Sequence, residues 1–195
     1  MTERDGIACL LDPDSVAVIG ASDDLGKFGG RALNGLIRHS YRGKLYPINP
    51  RRESVMGLEA YGSVSAIPGG ADVAVVALPA AMLAESLRDC ARAGVRACIV
   101  ITGQLAEAGP EGAALQDEIV EIARAAGMRI LGPNCLGLIN VPASLPLPPS
   151  VTMAVETLPR GGVGIVAQSG APMTSTLSRG HHRRIGFRTC ASVGT

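Results

Sequence analysis

Aromatic residues are scarce in this sequence. Among 195 residues there are no tryptophans, two phenylalanines and three tyrosines. This scarcity argues against a surface of stacked rings that would bind single-stranded nucleic acid. A net charge of +1 provides no field that would attract nucleic acid or an anionic membrane. Since 47% of the residues are hydrophobic, the chain can bury a core, which must be built from valine, isoleucine, leucine and alanine.

Paired cysteines and long apolar runs are also missing. The five cysteines are an odd number and none are spaced as Cys-x-x-Cys, which favours reduced thiols over a disulfide framework and indicates no metal site. No apolar run reaches the roughly 20 residues of a membrane span. The charged start MTERDGIACLLDPDS is unlike a signal peptide. We therefore expect a cytoplasmic protein that binds neither a membrane nor nucleic acid.

Short apolar runs alternate with amphipathic helical patterns over the first 140 residues. This alternation predicts a parallel, doubly wound α/β sheet. The first helix should begin near Gly29 and bury Leu33, Leu36 and Ile37, and a later one should bury Leu83, Leu87 and Cys90 before stopping at Gly94. The predicted strands are VAVI (16–19), KLYPI (44–48), VAVVAL (73–78), ACIVIT (97–102) and MRIL (128–131).

The composition changes after residue 141. VPASLPLPPSV contains four prolines and is typical of an extended linker. After it come a strand (GIVAQ), a turn, a helix starting near Pro172 and a last strand-like segment (FRTCASVG). Two strands and one helix cannot bury their own apolar faces. We therefore expect a first domain at 1–141, a linker at 142–160 and an incomplete second α/β domain at 161–195, whose bare strands favour pairing with a second copy.

The segment VIGASDDLGKFGG is a glycine-rich turn between the first strand and the first helix. It fits neither the Walker pattern, because five residues separate Gly20 from Gly26, nor the dinucleotide fingerprint, because Ser22 takes the place of a glycine. Its glycines let the backbone approach an anion, and the helix N-terminus favours negative charge. The loop therefore suits a pyrophosphate, although a turn that only packs helix against strand gives the same pattern.

The second predicted strand ends in INPRR, with Arg51 and Arg52 where an NAD site carries an acidic residue. Two guanidinium groups suit a ribose that bears its own phosphate. Coenzyme A, with a 3′-phosphate, and NADP, with a 2′-phosphate, both meet that description. A solvated surface pair is the alternative that involves no ligand.

Several segments, in order, resemble the CoA-binding domain of the NDP-forming acyl-CoA synthetases, the superfamily of ADP-forming acetyl-CoA synthetase and the succinyl-CoA synthetase α subunit. They are VIGASDDLGKFGG, YPINP, DVAVVALPA, GVRACIVITG and GMRILGPNCLGLIN. GGVGIVAQSGA resembles the start of the next, flavodoxin-like ligase domain. The resemblance covers nearly the whole chain and implies a Rossmann-like CoA-binding domain followed by the beginning of a second α/β domain.

The resemblance also implies which residues contact coenzyme A and phosphate. Cys135 lacks a His/Asp pattern around it, so we interpret it as a buried structural thiol rather than a nucleophile. The implied groups are the loop (Gly20, Ser22, Gly26, Lys27, Phe28), the nucleotide end (Asn49, Pro50, Arg51, Arg52), the pantetheine path (Leu78, Pro79, Ile101, Thr102, Gly103), the thiol end (Asn134, Cys135) and a phosphoryl pocket at a helix start (Ser169, Gly170).

Some features depart from the family pattern. Many relatives have Gly-Phe before the acidic residue after the fourth strand, whereas this chain has Gly103-Gln104-Leu105-Ala106-Glu107, which leaves the role of Glu107 open. His181 and His182, in the basic turn SRGHHRRIG, do not match the family's phosphohistidine and are expected to be solvated. That histidine and the ATP-grasp module belong to regions that this chain does not contain.

These observations predict a CoA-binding part of a ligase that interconverts acyl-CoA, NDP and phosphate with acid, CoA and NTP. No catalytic residue is assigned, and the chain alone is expected to bind without turnover. Its expected partners are CoA or acyl-CoA and the remaining ligase and ATP-grasp regions. The alternatives are a free-standing CoA-binding regulatory module and, less favoured because of the long loop, an NADP-dependent oxidoreductase.

Overall fold

A five-stranded parallel sheet forms the centre of the larger part of the molecule. The computed structural model describes residues 6–147 and 159–195. The sheet has the strand order β2-β1-β5-β6-β7, and every neighbouring pair is parallel, which confirms the predicted fold class. Its strands are β1 (Ser15–Ile19), β2 (Lys44–Ile48), β5 (Val73–Val76), β6 (Ala97–Val100) and β7 (Arg129–Leu131).

Helices cover both faces of this sheet, because each of them carries one apolar face. Leu83, Leu87 and Cys90 are fully buried, as predicted, and the positive φ of Gly94 (72°) lies just beyond the end of their helix. The expectation for Ile37 was wrong: it is 40% exposed, since it lies beyond the stripe that contacts the sheet. The helices beside this sheet are α1 (Gly6–Leu11), α2 (Phe28–Arg38), α3 (Leu83–Arg92) and α4 (Pro110–Ala125), whereas α5 (Gly170–His182) packs against a second sheet.

A second, four-stranded sheet has the order β10-β11-β8-β9. Antiparallel pairing of β11 with β8 joins the last strand of the chain to the segment that directly follows the larger sheet. The core beneath it contains Met173 and Leu177 of α5 together with Phe187. Its strands are β8 (Gly137–Asn140), β9 (Leu145–Pro146), β10 (Arg160–Ala167) and β11 (Phe187–Ser192), and a separate hairpin consists of β3 (Ser54–Val55) and β4 (Leu58–Glu59).

Several element bounds differ from the predictions. The third predicted strand ends at Val76, so Leu78 and Pro79 lie in the connection after β5. α5 begins at Gly170, two residues before Pro172, because the helix starts at the turn itself. Within the stretch predicted as a linker, Leu145–Pro146 forms β9, and residues 148–158 lie outside the described part of the chain. Among the described residues, no helix has the length and apolar character needed to cross a membrane.

Candidate functional site

The glycine-rich loop lies at the carboxyl edge of the sheet, between β1 and α2. Gly20 has a φ of 84°, which a side chain would strain. Its N–H and that of Ala21 both donate to the carbonyl oxygen of Ile48, at 3.1 and 3.3 Å. The start of the loop is therefore fastened to the end of β2, the strand whose following residues were predicted to hold the nucleotide end.

The glycines at the start of α2 serve packing within the protein. A Cβ on Gly29 would lie 2.0 Å from the carbonyl oxygen of Gly20, and one on Gly30 would lie 2.2 Å from that of Asp24. Both residues are buried. The loop's own backbone therefore requires glycine at both positions, whether or not an anion binds there.

Gly26 differs from these two glycines because it is exposed. A Cβ there would meet only the Asp24 side chain, with Oδ1 at 2.9 Å, and the same oxygen accepts a hydrogen bond from the Gly26 N–H at 2.8 Å. Ser22 Oγ accepts from the Asp24 N–H at 3.1 Å. Lys27, the N-cap of α2, and Phe28, its first residue, are also exposed, and the first N–H groups of a helix have no partners within it. The segment is exposed to solvent, and the N–H groups of Gly26 and Lys27 both donate to Asp24.

The INPRR segment is held against the loop by side-chain hydrogen bonds. Asn49 Nδ2 donates to the Ala21 carbonyl at 2.8 Å, while Asn49 Oδ1 accepts from the Arg51 N–H at 3.0 Å. Arg52 lies 4.0 Å from a carboxylate oxygen of Asp23. Pro50, Arg51 and Arg52 are all exposed. The two guanidinium groups are thus carried on a loop of fixed backbone shape, beside the glycine-rich loop.

The ends of the next strands form a continuous edge. Thr102 Oγ1 donates to the carbonyl of Leu78 at 2.6 Å, which ties the end of β6 to that of β5. The Asn134 N–H donates to the Thr102 carbonyl at 3.0 Å, which extends the link toward β7. Ile101 is buried and Pro79 is exposed. The residues predicted along the pantetheine path therefore succeed one another across this edge.

Glu107 closes the loop that follows β6. Its Oε1 accepts a hydrogen bond from the Gln104 N–H at 2.7 Å, and Gln104 has a φ of 64°. A Cβ on Gly103 would lie 2.8 Å from Asn134 Oδ1 and 3.2 Å from Glu107 Oε1. In this structure the carboxylate stabilises a tight turn beside Asn134.

Cys135 is a buried thiol. It is 4% exposed, and its Sγ lies 3.4 Å from the Val100 carbonyl oxygen, to which it donates. Burial raises its pKa to about 11, because the thiolate is poorly solvated there. The thiol is therefore neutral near pH 7, which agrees with the interpretation of Cys135 as structural.

A cavity of about 290 Å³ lies where the two sheets meet. One wall comes from the larger part of the chain and the other from the turn that starts α5. Ser169 is the N-cap of α5, and its side chain makes no capping hydrogen bond. The lining residues are Phe28, Ile101, Asn134, Cys135, Leu136, Gln168, Ser169, Gly170 and Ala171.

Hydrogen bonds from the end of β11 connect the two walls. Ser192, which is fully buried, accepts a bond from the Leu136 N–H at 3.2 Å and donates to the Gln168 carbonyl at 3.4 Å. The N–H groups of Gly194 and Thr195 donate to the carbonyls of Gln168 and Pro133, both at 3.1 Å. Sequence reasoning missed Ser192, although a polar residue within the apolar run FRTCASV was a usable signal.

The two histidines near the end of α5 lie away from this cavity. His181 and His182 do not line it and occupy the last turn of α5 rather than a turn beyond the helix. Their rings contact each other edge to face, 5.9 Å apart, and His182 Nδ1 lies 2.8 Å from the Ser178 carbonyl oxygen.

A parallel α/β sheet with a glycine-rich first turn and a ligand-sized cavity at its carboxyl edge defines a nucleotide- or coenzyme-binding domain. A family model described as a CoA binding domain matches residues 14–141, which is more than half of the chain. The chain belongs to this CoA-binding domain family and is homologous to the CoA-binding part of the NDP-forming acyl-CoA synthetases.

Several relatives carry the names of CoA ligases or synthases. The chain is 41% identical over 188 residues to trans-feruloyl-CoA synthase FCS1 of an unknown prokaryotic organism, covering 95% of this chain and 26% of the relative. It is 39% identical over 185 residues to the α subunit of acetate–CoA ligase [ADP-forming] II of Pyrococcus furiosus, covering 95% and 39%. Its structure resembles acetyl-coenzyme A synthetase 1 of Ca. Korarchaeum cryptofilum in complex with phosphate and ADP, with a TM-score of 0.90, 36% identity and coverage of 96% and 39%. The chain thus spans well under half the length of these proteins.

Proposed function

We propose that this chain binds coenzyme A as the CoA-binding part of an NDP-forming acid–thiol ligase. The observation that carries the proposal is the cavity of about 290 Å³. It brings Phe28, Asn134 and Cys135 together with Ser169 and Gly170, although more than 30 residues of sequence separate the two groups. The resemblance implied that the first group contacts coenzyme A and that the second forms a phosphoryl pocket.

The geometry supports an order of contacts along coenzyme A. In this proposal Arg51 and Arg52 bind the 3′-phosphate, and the loop residues Gly20, Ser22, Gly26 and Lys27 lie along the pyrophosphate. Leu78, Pro79 and residues 101–103 line the path of the pantetheine arm. Each successive strand end lies next to the previous one, so an extended ligand can follow the edge of the sheet to the cavity.

The proposed reaction places the coenzyme A thiol in the cavity beside Ser169 and Gly170. The sulfur attacks an acyl phosphate, a carbon–sulfur bond forms, and phosphate leaves as the thiol proton is lost. The N-terminus of α5 suits a phosphoryl group, because its N–H groups and dipole favour negative charge. Phosphohistidine chemistry and nucleotide binding are assigned to ligase and ATP-grasp regions of a longer cytoplasmic polypeptide or a partner subunit.

Calorimetry on the 195-residue chain tests this function. We expect coenzyme A to bind more tightly than dephospho-CoA, by about 1.5 to 3 kcal/mol for a lost charge-assisted hydrogen bond. NADP, which presents a ribose phosphate without a thiol arm, should bind more weakly. Tighter binding of NADP, or no binding of coenzyme A at all, would contradict the proposal.

A further inference from the structure

Charged residues are unevenly distributed along this chain. Residues 159–195 contain five arginines and no aspartate or glutamate, although the net charge of the whole chain is only +1. All five arginines are exposed, and no ion pair of theirs is found in the described parts of the chain. The part built on β10, α5 and β11 is therefore strongly basic, and the rest of the chain is net acidic. The arginines are Arg160, Arg179, Arg183, Arg184 and Arg188.

Three of the arginines lie at the C-terminal end of α5. Arg179 and Arg183 are one helical turn apart, since the Arg183 N–H donates to the Arg179 carbonyl at 3.3 Å. Arg184 has a φ of 56°, a left-handed conformation that glycine ordinarily adopts just after a helix. Cations stabilise the C-terminus of a helix, but that effect does not require a side chain at the strained position. The chain thus carries an arginine where glycine would have the lower conformational cost.

The other two arginines extend the charge onto the neighbouring strands. Arg160 begins β10, and its carbonyl oxygen would lie 2.3 Å from a Cβ on Gly186, so β10 packs directly against the turn after α5. Arg160 pairs in register with Phe187, and Arg188 is the next residue of β11. Neither arginine belongs to a helix end, so the helix dipole does not account for them. We call the five arginines together the basic surface.

An exposed apolar residue lies within the basic surface. Ile185, which follows Arg184, is 42% exposed. Interfaces between proteins combine apolar side chains with arginines. Phe187, the only Phe, Tyr or Trp of residues 159–195, is buried, so the surface offers none of these rings for the stacking of bases. These features favour a polypeptide over a nucleic acid as the partner.

The basic surface is separate from the cavity. α5 has 13 residues and is therefore about 20 Å long. Its first residue, Gly170, lines the cavity, whereas the basic surface lies at the other end of the helix. A ligand of this surface need not contact the coenzyme A site.

We propose that the basic surface binds a carboxylate-rich surface of another polypeptide, with Ile185 at the apolar centre of the contact. Arginine matches carboxylates through paired N–H donors, and such a partner would remove the mutual repulsion of the like charges. A second copy that presented the same surface would add to this repulsion, so the partner surface is a different one. The proposal is independent of the proposed function.

Fluorescence anisotropy of labelled polyglutamate with the 195-residue chain tests the charge of this surface. The wild type should bind it, more weakly as the salt concentration rises. The triple variant Arg183→Gln/Arg184→Gln/Arg188→Gln should bind about tenfold more weakly, as for the loss of several exposed charge pairs. The matched control Arg88→Gln/Arg92→Gln/Arg124→Gln removes the same charge from α3 and α4 and should bind much as the wild type does. Thermal melting of each variant separates loss of binding from loss of fold.

Two single variants test the details of the contact. A copolymer of glutamate and tyrosine should bind the wild type more tightly than polyglutamate does, and Ile185→Ser should remove this difference. Arg184→Gly suits the left-handed backbone, so it should keep the fold while binding polyglutamate more weakly. A difference that persists in Ile185→Ser, or unchanged binding by Arg184→Gly, would exclude the respective residue from the contact.

Equal affinities of the two triple variants for polyglutamate would overturn the proposal, since net charge alone would then explain binding. No binding by the wild type would overturn it as well. Tighter binding of a DNA duplex of matched total charge would assign the surface to nucleic acid instead. Coenzyme A affinity should be the same in the wild type and in both triple variants, so the proposed function stands or falls separately.

Discussion

Gly29 packs directly against the carbonyl oxygen of Gly20, so closely that a Cβ on Gly29 would lie 2.0 Å from that oxygen. The contact holds the N-terminus of α2 against the end of β1. It explains why the chain has glycine at this position without reference to any ligand, whereas exposed Gly26 has no comparable backbone neighbour.

Substitutions at these two glycines should have different effects. Gly29→Ala should destabilise the protein by several kcal/mol, on the order of an overpacked core site or more, because the methyl group would meet backbone. Gly26→Val should remain folded but bind coenzyme A more weakly, since its nearest neighbour is the exposed Asp24 side chain. Denaturant unfolding and calorimetry measure the two effects. Normal coenzyme A binding by Gly26→Val would show that the loop is only a packing turn.

The two arginines after β2 should contribute unequally to the preference for coenzyme A over dephospho-CoA. Arg52 faces Asp23, whereas no ion pair of Arg51 is found among the described residues. We therefore expect Arg51→Ala to reduce the preference more than Arg52→Ala, toward equal affinities in the double variant. Exposed Arg42, which precedes β2, provides the control Arg42→Ala. If the double variant keeps the full preference, this pair is only a solvated surface feature.

Burial of Cys135 should make stability depend on pH in the alkaline range. Its pKa is raised from 9.0 to about 11, so the native state holds a proton that the unfolded chain releases as the pH rises above about 9. This contribution is complete below pH 9 and is lost as the pH approaches 11. Cys135→Ala should therefore show a smaller fall in unfolding free energy between pH 8 and 10.5 than the wild type. Parallel pH profiles would contradict the burial of this thiol.

Loss of the Ser192 hydroxyl should weaken the link between the cavity walls. Ser192→Ala removes one donor and one acceptor that connect Leu136 with Gln168. We expect the free energy of unfolding to fall by about 1 to 3 kcal/mol, because the buried partners are left unpaired. Exposed Ser175 of α5 provides the control Ser175→Ala, which should change stability by less than about 0.5 kcal/mol. Equal stabilities of the two variants would argue against the link.

A chain that ends at Leu147 should fold by itself. The buried members of the two core clusters of the larger sheet all lie within residues 9–147, so the remaining chain keeps them. It should retain most of its coenzyme A affinity, with some loss because the Gln168–Ala171 wall is removed. Circular dichroism and calorimetry test this, and unfolding of the short chain would mean that the two sheets form one cooperative unit.

Self-association provides a separate test of the expected pairing with a second copy. Val163 and Val166 of β10 are 42% and 79% exposed, and within residues 6–147 and 159–195 the strand β10 pairs with β11 alone. An apolar strand edge of this kind favours pairing with another chain. In sedimentation, the 195-residue chain should self-associate, and the chain ending at Leu147 should remain monomeric. A monomeric full chain, or a dimeric short one, would contradict this interface.

The sequence predicted the elements of the larger sheet well, because buried parallel strands are continuous apolar runs. The fully buried run Val73–Val76 and the stripe of Leu83, Leu87 and Cys90 are examples. The sequence predicted the structure less well where it depends on contacts between residues that are far apart in the chain. Nothing local distinguishes Gly29 from Gly26, or shows that β8 pairs with β11 some 50 residues later along the chain.

The candidate site was predictable to a similar extent. Motif resemblance selected Phe28, Asn134 and Ser169, and the fold brings them to one cavity. Ser192 was not selected, because only the folded chain shows that its hydroxyl connects Leu136 with Gln168. The coenzyme contacts assigned to the other residues remain predictions that the binding experiments test.

The hydrogen bonds of Ser192, Gly194 and Thr195 set the distance between the two walls of the cavity. Three of these four bonds have a backbone donor, and all end on positions that flank or belong to the walls. The separation of the walls is therefore fixed by the chain path, while the lining side chains determine only the surface. Exchanging lining residues such as Leu136 or Ala171 should change the surface that a bound group contacts, whereas altering these hydrogen bonds should change how large a group can enter.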